Sequence, residues 1–284
     1  MGFWKALFGG DDLSPEEEKQ QKEAKNFNLL KYDGVKAMKI GRADYAVRCF
    51  EEALKLKDDL EIHDYLSQVL TRLGDAKGAL LQLEALAAAE PQNADIRLRM
   101  AQVAYMAEDY RQMEEHCRQV MAIDDANPAP YLLAAQSRLA RGDVKKAIEM
   151  LDKAVGLDDN YAEARLLRSQ ILLRTGKPKA AKADADWLHE NVGDHEDILL
   201  LRARIAAAER KHEEAVTIYN MVIEQNPFSL EAFTERGQQR LALGDKAGAE
   251  EDLAAARELN PVQDVEDIEQ QVKDSYQNIN PLGL

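Results

Sequence analysis

Apolar residues recur along this chain at helical spacing, and the helical stretches themselves recur. Across residues 27–263 the pattern returns every 33–34 residues, marked by Gly41, Gly74, Gly142, Gly176 and Gly244. With that glycine placed at slot 15, seven units begin at Phe27, Leu60, Ala94, Pro128, Ala162, Glu196 and Leu230. Slots 20, 24 and 27 are largely apolar and lie four and three residues apart, which is one face of an α-helix. Slots 4, 8, 11 and 12 describe a second helix before the glycine. Slot 8 is always small (Gly34, Ser67, Ala101, Ala135, Ser169, Ala203, Gly237), and slot 20 is Ala in every unit except the third, where it is Met113. Small residues at both slots let two helix axes approach to roughly 8–10 Å. Each unit is therefore predicted as an antiparallel helix pair. Gly at slot 15 ends the first helix in the left-handed conformation, and the Asp that often follows caps the second. Pro91, Pro227 and Pro261 at slot 32 are expected to stop the second helix. A fixed period of this length is the mark of a stacked array stabilised by neighbour contacts.

The ends differ from the array. Ser14-Pro15-Glu16-Glu17 reads as a helix start with Ser14 as N-cap, Pro15 at the first position and Glu17 completing a capping box. The helix it opens is almost wholly polar over 16–26. Residues 264–277, with Val265, Ile268, Val272 and Tyr276 on one side, read as a closing helix. The chain thus divides into 1–26 (apolar tail and lead-in helix), 27–263 (seven repeats) and 264–284 (capping helix and tail). Phe3, Trp4, Leu7 and Phe8 crowd the N-terminus, ahead of Gly9-Gly10. Three readings stay open for them: a frayed or tucked-in tail, a short amphipathic anchor for a membrane or partner, and an occupant of the protein's own groove.

The small slot 8, Gly at slot 15, Ala at slot 20, the apolar slot 24 and Pro at slot 32 together resemble the tetratricopeptide repeat family. Residues 41–54, Gly-Arg-Ala-Asp-Tyr-Ala-Val-Arg-Cys-Phe-Glu-Glu-Ala-Leu, are similar to that family's second-helix motif almost throughout. Departures are Glu108 and Met113 in the third unit, Arg210 in the sixth, and the lack of Trp at slot 4, where Tyr131 and Phe233 come nearest. The resemblance implies an all-α, right-handed superhelical solenoid whose first helices line a concave groove, with slots 2, 5, 9, 12 and 13 facing it. Slot 9 then becomes the candidate binding row: Gln68, Gln102, Gln136, Gln170, Arg204 and Gln238, with Val35 in the first unit. Glutamine both donates and accepts, so such a row could pair with the backbone of an extended peptide. Tyr105, Leu139 and Leu173 at slot 12 would add apolar contact. The competing reading is that Gln is a neutral helix former on a wet face. Slot 2 runs acidic (Glu61, Asp95, Glu163, Asp197, Glu231), which suits a helix's first turn and would also favour a basic peptide. The Lys and Asn clamp with which some relatives hold chaperone tails is missing, since slot 5 offers only Lys31 and slot 9 has no Asn.

Composition narrows the function classes. The 284 residues carry 52 acids against 37 bases, a net charge of −15 with no basic block, which argues against nucleic acid as a partner. No apolar run is long enough for a transmembrane helix, and the N-terminus does not read as a secretory signal, so a cytoplasmic location is the expectation. Cys49 and Cys117 fall on different helices and read as small buried hydrophobes. His63, His116, His189, His195 and His212 are scattered, and His189 and His195 have the wrong spacing for a helical zinc pair. No nucleophile–base–orienter set is visible, so neither an enzyme nor a cofactor nor a metal is expected. Arg168, Arg202 and Arg236 repeat at slot 7, read as helix-bonding rather than anion-binding. Trp187 is expected to be partly buried. The function expected is a scaffold holding a neutral or basic peptide or partner helix. The alternative is an assembly element that associates through its ends or its Phe3–Phe8 tail.

Overall fold

The structure, a computed structural model, describes residues 14–260 and shows only helices and their connections there. The closing helix expected at 264–277 and the apolar residues Phe3, Trp4, Leu7 and Phe8 lie outside the described residues. The chain forms two compact halves, Met1–Ala140 and Arg141–Leu284. The first holds α1 (Pro15–Lys39), α2 (Ala43–Leu56), α3 (Leu60–Leu73), α4 (Ala76–Ala89), α5 (Ala94–Met106), α6 (Tyr110–Ile123) and α7 (Ala129–Ala140). The second holds α8 (Val144–Leu157), α9 (Ala162–Arg174), α10 (Pro178–Asn191), α11 (Glu196–Ala208), α12 (His212–Gln225), α13 (Leu230–Ala242) and α14 (Lys246–Leu259).

Within each half the helices pair as hairpins: α1/α2, α3/α4 and α5/α6, then α9/α10, α11/α12 and α13/α14. Each second helix also packs on the first helix of the next hairpin. The division falls inside the fourth sequence repeat, so α7 belongs with α6 and α5, and α8 with α9. Some first helices of successive hairpins also touch one another: α1 with α3, α5 with α7, and α9 with α11. Each half is thus a stack of helix hairpins.

The crossing points explain this register. All seven slot-8 residues and all seven slot-20 residues are buried. At Gly34 a Cβ would sit 2.5 Å from Cε1 of Phe50, a fully buried ring, so the close approach of α1 and α2 requires glycine there. The slot-15 glycines at 41, 74, 142, 176 and 244 all have φ between 71° and 84°. The two repeats that lack the glycine make the same turn regardless: Glu108 has φ 55° and Arg210 φ 61°. Tertiary packing therefore imposes the left-handed turn on side chains that disfavour it, at a cost of about 1–2 kcal/mol each. Asp75, Asp109, Asp143 and Asp245 accept from a backbone N–H three residues on and cap the second helices, as their spacing predicts.

One expectation is corrected. All seven second helices span slots 17 to 30, whether slot 32 is Pro91 and Pro227 or Asp58, Asp125, Asp159 and Gly193. Proline does not set the stop. At Lys57, Asp124, Asp158 and Asn226 the slot-31 backbone has already turned extended to carry the chain into the next hairpin. At the N-terminus the capping box forms, with Ser14 Oγ accepting from Glu17 N–H and Glu17 Oε2 accepting from Ser14 N–H. The lead-in stretch and the first helix of the first repeat are one unbroken helix, α1, exposed throughout 15–26.

Candidate functional site

The slot-9 residues fall on successive first helices: Gln68 on α3, Gln102 on α5 and Gln136 on α7 in one half, and Gln170 on α9, Arg204 on α11 and Gln238 on α13 in the other. Their environments differ. Gln102 and Gln170 are exposed and make no side-chain hydrogen bond among the described residues. Gln68 is half-buried and donates its amide to Asp64 Oδ2 at 2.9 Å. Gln136 is half-buried, with its Oε1 shielded from solvent and no protein donor reaching it. Gln238 is half-buried. Tyr105 is exposed, its ring 6.3 Å from that of Tyr110. Leu139 is half-buried, and Leu173 packs partly against the cluster of Ala181, Ala185, Leu201 and Ile205.

Arg204 is the exception in the row. Its Nε donates to both Glu235 oxygens, at 3.0 and 2.9 Å, and its Nη2 to Glu231. Tyr219 donates to Glu235 Oε2 at 2.8 Å. Burial works against the Arg204 charge, but the two carboxylates outweigh it and hold its pKa above the ordinary guanidinium value. In the first half, slots 2, 5 and 6 form a smaller network. Lys31 bonds Asp59 and Glu61, Tyr65 donates to Glu61 at 2.7 Å, and Arg99 bonds Asp64 and the hydroxyl of Ser67.

A tetratricopeptide repeat model matches residues 106–171 and 138–183, and a second model of the same description matches 175–230. Residues 106–230 of the chain carry tetratricopeptide repeats. No curated protein matches it at significance. Solved structures that resemble this chain share its fold at low identity. One is a tetratricopeptide repeat protein from Parabacteroides merdae (14% identity, TM-score 0.63, 88% of this chain and 98% of that one). A second is YrrB, described as a TPR protein with an unusual peptide-binding site (17%, TM-score 0.57, 69% and 98%). A third is the C-terminal part of a TPR repeat-containing protein from Cytophaga hutchinsonii (13%, TM-score 0.61, 76% and 86%). Repeats of this family make the chain a protein-interaction scaffold in the general sense, and the family is generally non-enzymatic.

Outside slot 9, two of the three slot-7 arginines bond helices together, whereas Arg202 makes no side-chain hydrogen bond or ion pair among the described residues. Arg168 on α9 donates to both oxygens of Asp184 on α10, at 2.7 Å each, and to Asp152 on α8 at 2.8 Å. Arg236 repeats this with Asp252 and Asn220. Asp184 and Asp252 are each 2% exposed. Slot-by-slot reading missed these acids, yet the signal was present: the Arg–Asp spacing of 16 residues occurs at both places. It placed Glu231 in the acidic slot-2 row but missed Glu235 and the bonding of both to Arg204, whose signal was a lone Arg in a glutamine row with acids one repeat on. Trp187 is half-buried beneath the Arg165 guanidinium, 4.5 Å from its ring. Cys49 and Cys117 are free and buried, and burial pushes the Cys117 thiol up to about 12. Among the described residues no group of three His, Cys, Asp or Glu could hold a metal, and no helix is long and apolar enough to cross a membrane.

Proposed function

We propose that this scaffold binds an extended peptide or partner helix along the exposed face of its first helices. The supporting observation is Gln102 and Gln170 presented to solvent at the same slot, unbonded, on helices whose other faces are buried. Each Gln–backbone hydrogen bond nets about 0.5–1.5 kcal/mol, so several in register with Tyr105 suffice for weak, reversible capture. Each half offers one open rung, Gln102 in the first and Gln170 in the second. In the second half the next first helix carries Arg204 instead, whose Nε and Nη2 are engaged by Glu235 and Glu231. The test is affinity capture from the native host with wild type and a Gln102→Ala/Gln170→Ala/Tyr105→Ala variant of equal thermal stability. The variant should lose the specific partner, and identical capture by both proteins sinks the reading.

Self-association is the second reading, and one feature favours it. On α1, Leu29 and Tyr32 are 59% and 65% exposed, a pair of large apolar groups at the start of the array. Sedimentation of the full chain should show a concentration-dependent dimer that Leu29→Glu/Tyr32→Glu abolishes. A wild type that stays monomeric removes this reading.

A further inference from the structure

One end of the first-half face is a cleft where α3, the end of α4 and the start of α5 meet. Its apolar lining residues are Leu60, 42% exposed, and Leu86 and Ile96, both buried. Its walls carry Glu61 and Asp64 from α3, Glu90 at the end of α4 and Asp95 from α5, against one guanidinium, that of Arg99. The charges are unequally matched. Arg99 is bonded to Asp64, and Lys31 reaches Glu61 from α1. Glu90 accepts only from the Asn93 amide, and Asp95 has no side-chain partner among the described residues. The partial positive ends of α3 and α5 are already engaged: Asp59 caps the Ile62 N–H, and Asn93 caps those of Asp95 and Ile96.

We infer that this cleft selects a Lys or Arg of the bound protein segment, the aliphatic stem lying on Leu60 and Ile96 and the charged head reaching Glu90 and Asp95. This rests on the reading that the first-helix face is the binding surface, and it adds the class of side chain that the partner carries. A long cationic side chain is the group that can satisfy an apolar floor and anionic rim together. An acidic side chain would meet uncompensated like charge. A purely apolar one would leave the rim carboxylates with nothing in exchange for lost water. Gln102, Tyr105 and Met106, the last two 41% and 52% exposed, continue the same face of α5 from Asp95 and would take the flanking residues.

The experiment uses the full chain and three short fluorescein-labelled peptides of Ala, Leu and Gln that differ only at a central Lys, Gln or Glu, read by anisotropy. The Lys peptide is expected to bind about fivefold more tightly than the Gln peptide, with the Glu peptide weakest. Glu90→Gln/Asp95→Asn should erase that preference. Glu16→Gln/Glu18→Gln, which removes the same net charge from the exposed start of α1, should leave it intact. Circular dichroism melts check that both variants remain folded. A preference that survives the cleft variant, or vanishes equally in the α1 control, overturns the inference as bulk attraction to an acidic protein. Equal binding of all three peptides that Gln102→Ala/Tyr105→Ala still weakens overturns the cleft's selectivity and leaves the binding face standing. Binding by none of them up to roughly 1 mM, or binding indifferent to Gln102 and Tyr105, overturns both.

Discussion

In the N-terminal half, slot 7 of the second and third repeats holds Leu66 and Met100, both buried in the apolar cluster that also contains Phe50, Ile62 and Leu83. In the C-terminal half the same slot is Arg168, Arg202 and Arg236, of which Arg168 and Arg236 are each clamped to a buried aspartate on their own hairpin and to a polar side chain of the preceding second helix. The backbone register is the same in both, with second helices occupying identical slots. One repeat geometry therefore accepts two kinds of joint, an oily one and an ionic one. The two differ in how they fail. An apolar joint loses transfer and packing energy in proportion to what is removed. An ionic joint adds little over a well-packed apolar one while intact, but leaves uncompensated charge when one partner goes. The difference extends to the candidate binding face. In the first half Gln102 and Tyr105 are exposed, whereas in the second Gln170 is exposed but Arg204, on the next first helix, is bonded across to the following hairpin.

The sharpest way to break the ionic joint is Asp184→Ala, which leaves Arg165 and Arg168 both without their buried carboxylate. A loss of about 3–5 kcal/mol is expected. Hydrogen exchange should show it first in α8–α10, with α3–α5 keeping their protection. Uniform loss across both halves would contradict separate joints. The apolar joint is tested by Gly34→Ala, whose methyl meets the Phe50 ring. Overpacking should cost about 1–3 kcal/mol, and adding Phe50→Leu should recover part of it in urea titrations. No recovery would mean that the glycine is needed for something other than space. The smallest effect tests what the halves share: Glu108→Gly and Arg210→Gly should each stabilise by about 1 kcal/mol and raise Tm by about 2–4 °C. A lowered Tm in either variant would show that its side chain compensates for the strained turn.

Much of this was legible in residue order. The period, the helix pairs, the small crossing residues and the capping box at Ser14 all follow from local rules, since propensity, caps and face periodicity act within one or two turns. The slot-9 row was legible as a row because periodicity places it on one side of successive helices. Which rungs are free was not, because it depends on side chains a full repeat away: Arg204 is spent on Glu231 and Glu235, and Gln68 on Asp64. The proline expectation failed for a related reason, since the end of each second helix is set where the next hairpin begins.

Residue order by itself determined that this chain folds as paired helices in tetratricopeptide register, because a 34-residue recurrence of small and apolar positions leaves no other way to bury them. Only the tertiary structure decided that Glu108 and Arg210 adopt a glycine's backbone, that a buried aspartate holds Arg168, and that the acid-rimmed cleft beside Leu60 stays open. Those outcomes depend on competition between neighbours that are distant in sequence, and packing resolves that competition by favouring the stack over any one residue's local preference.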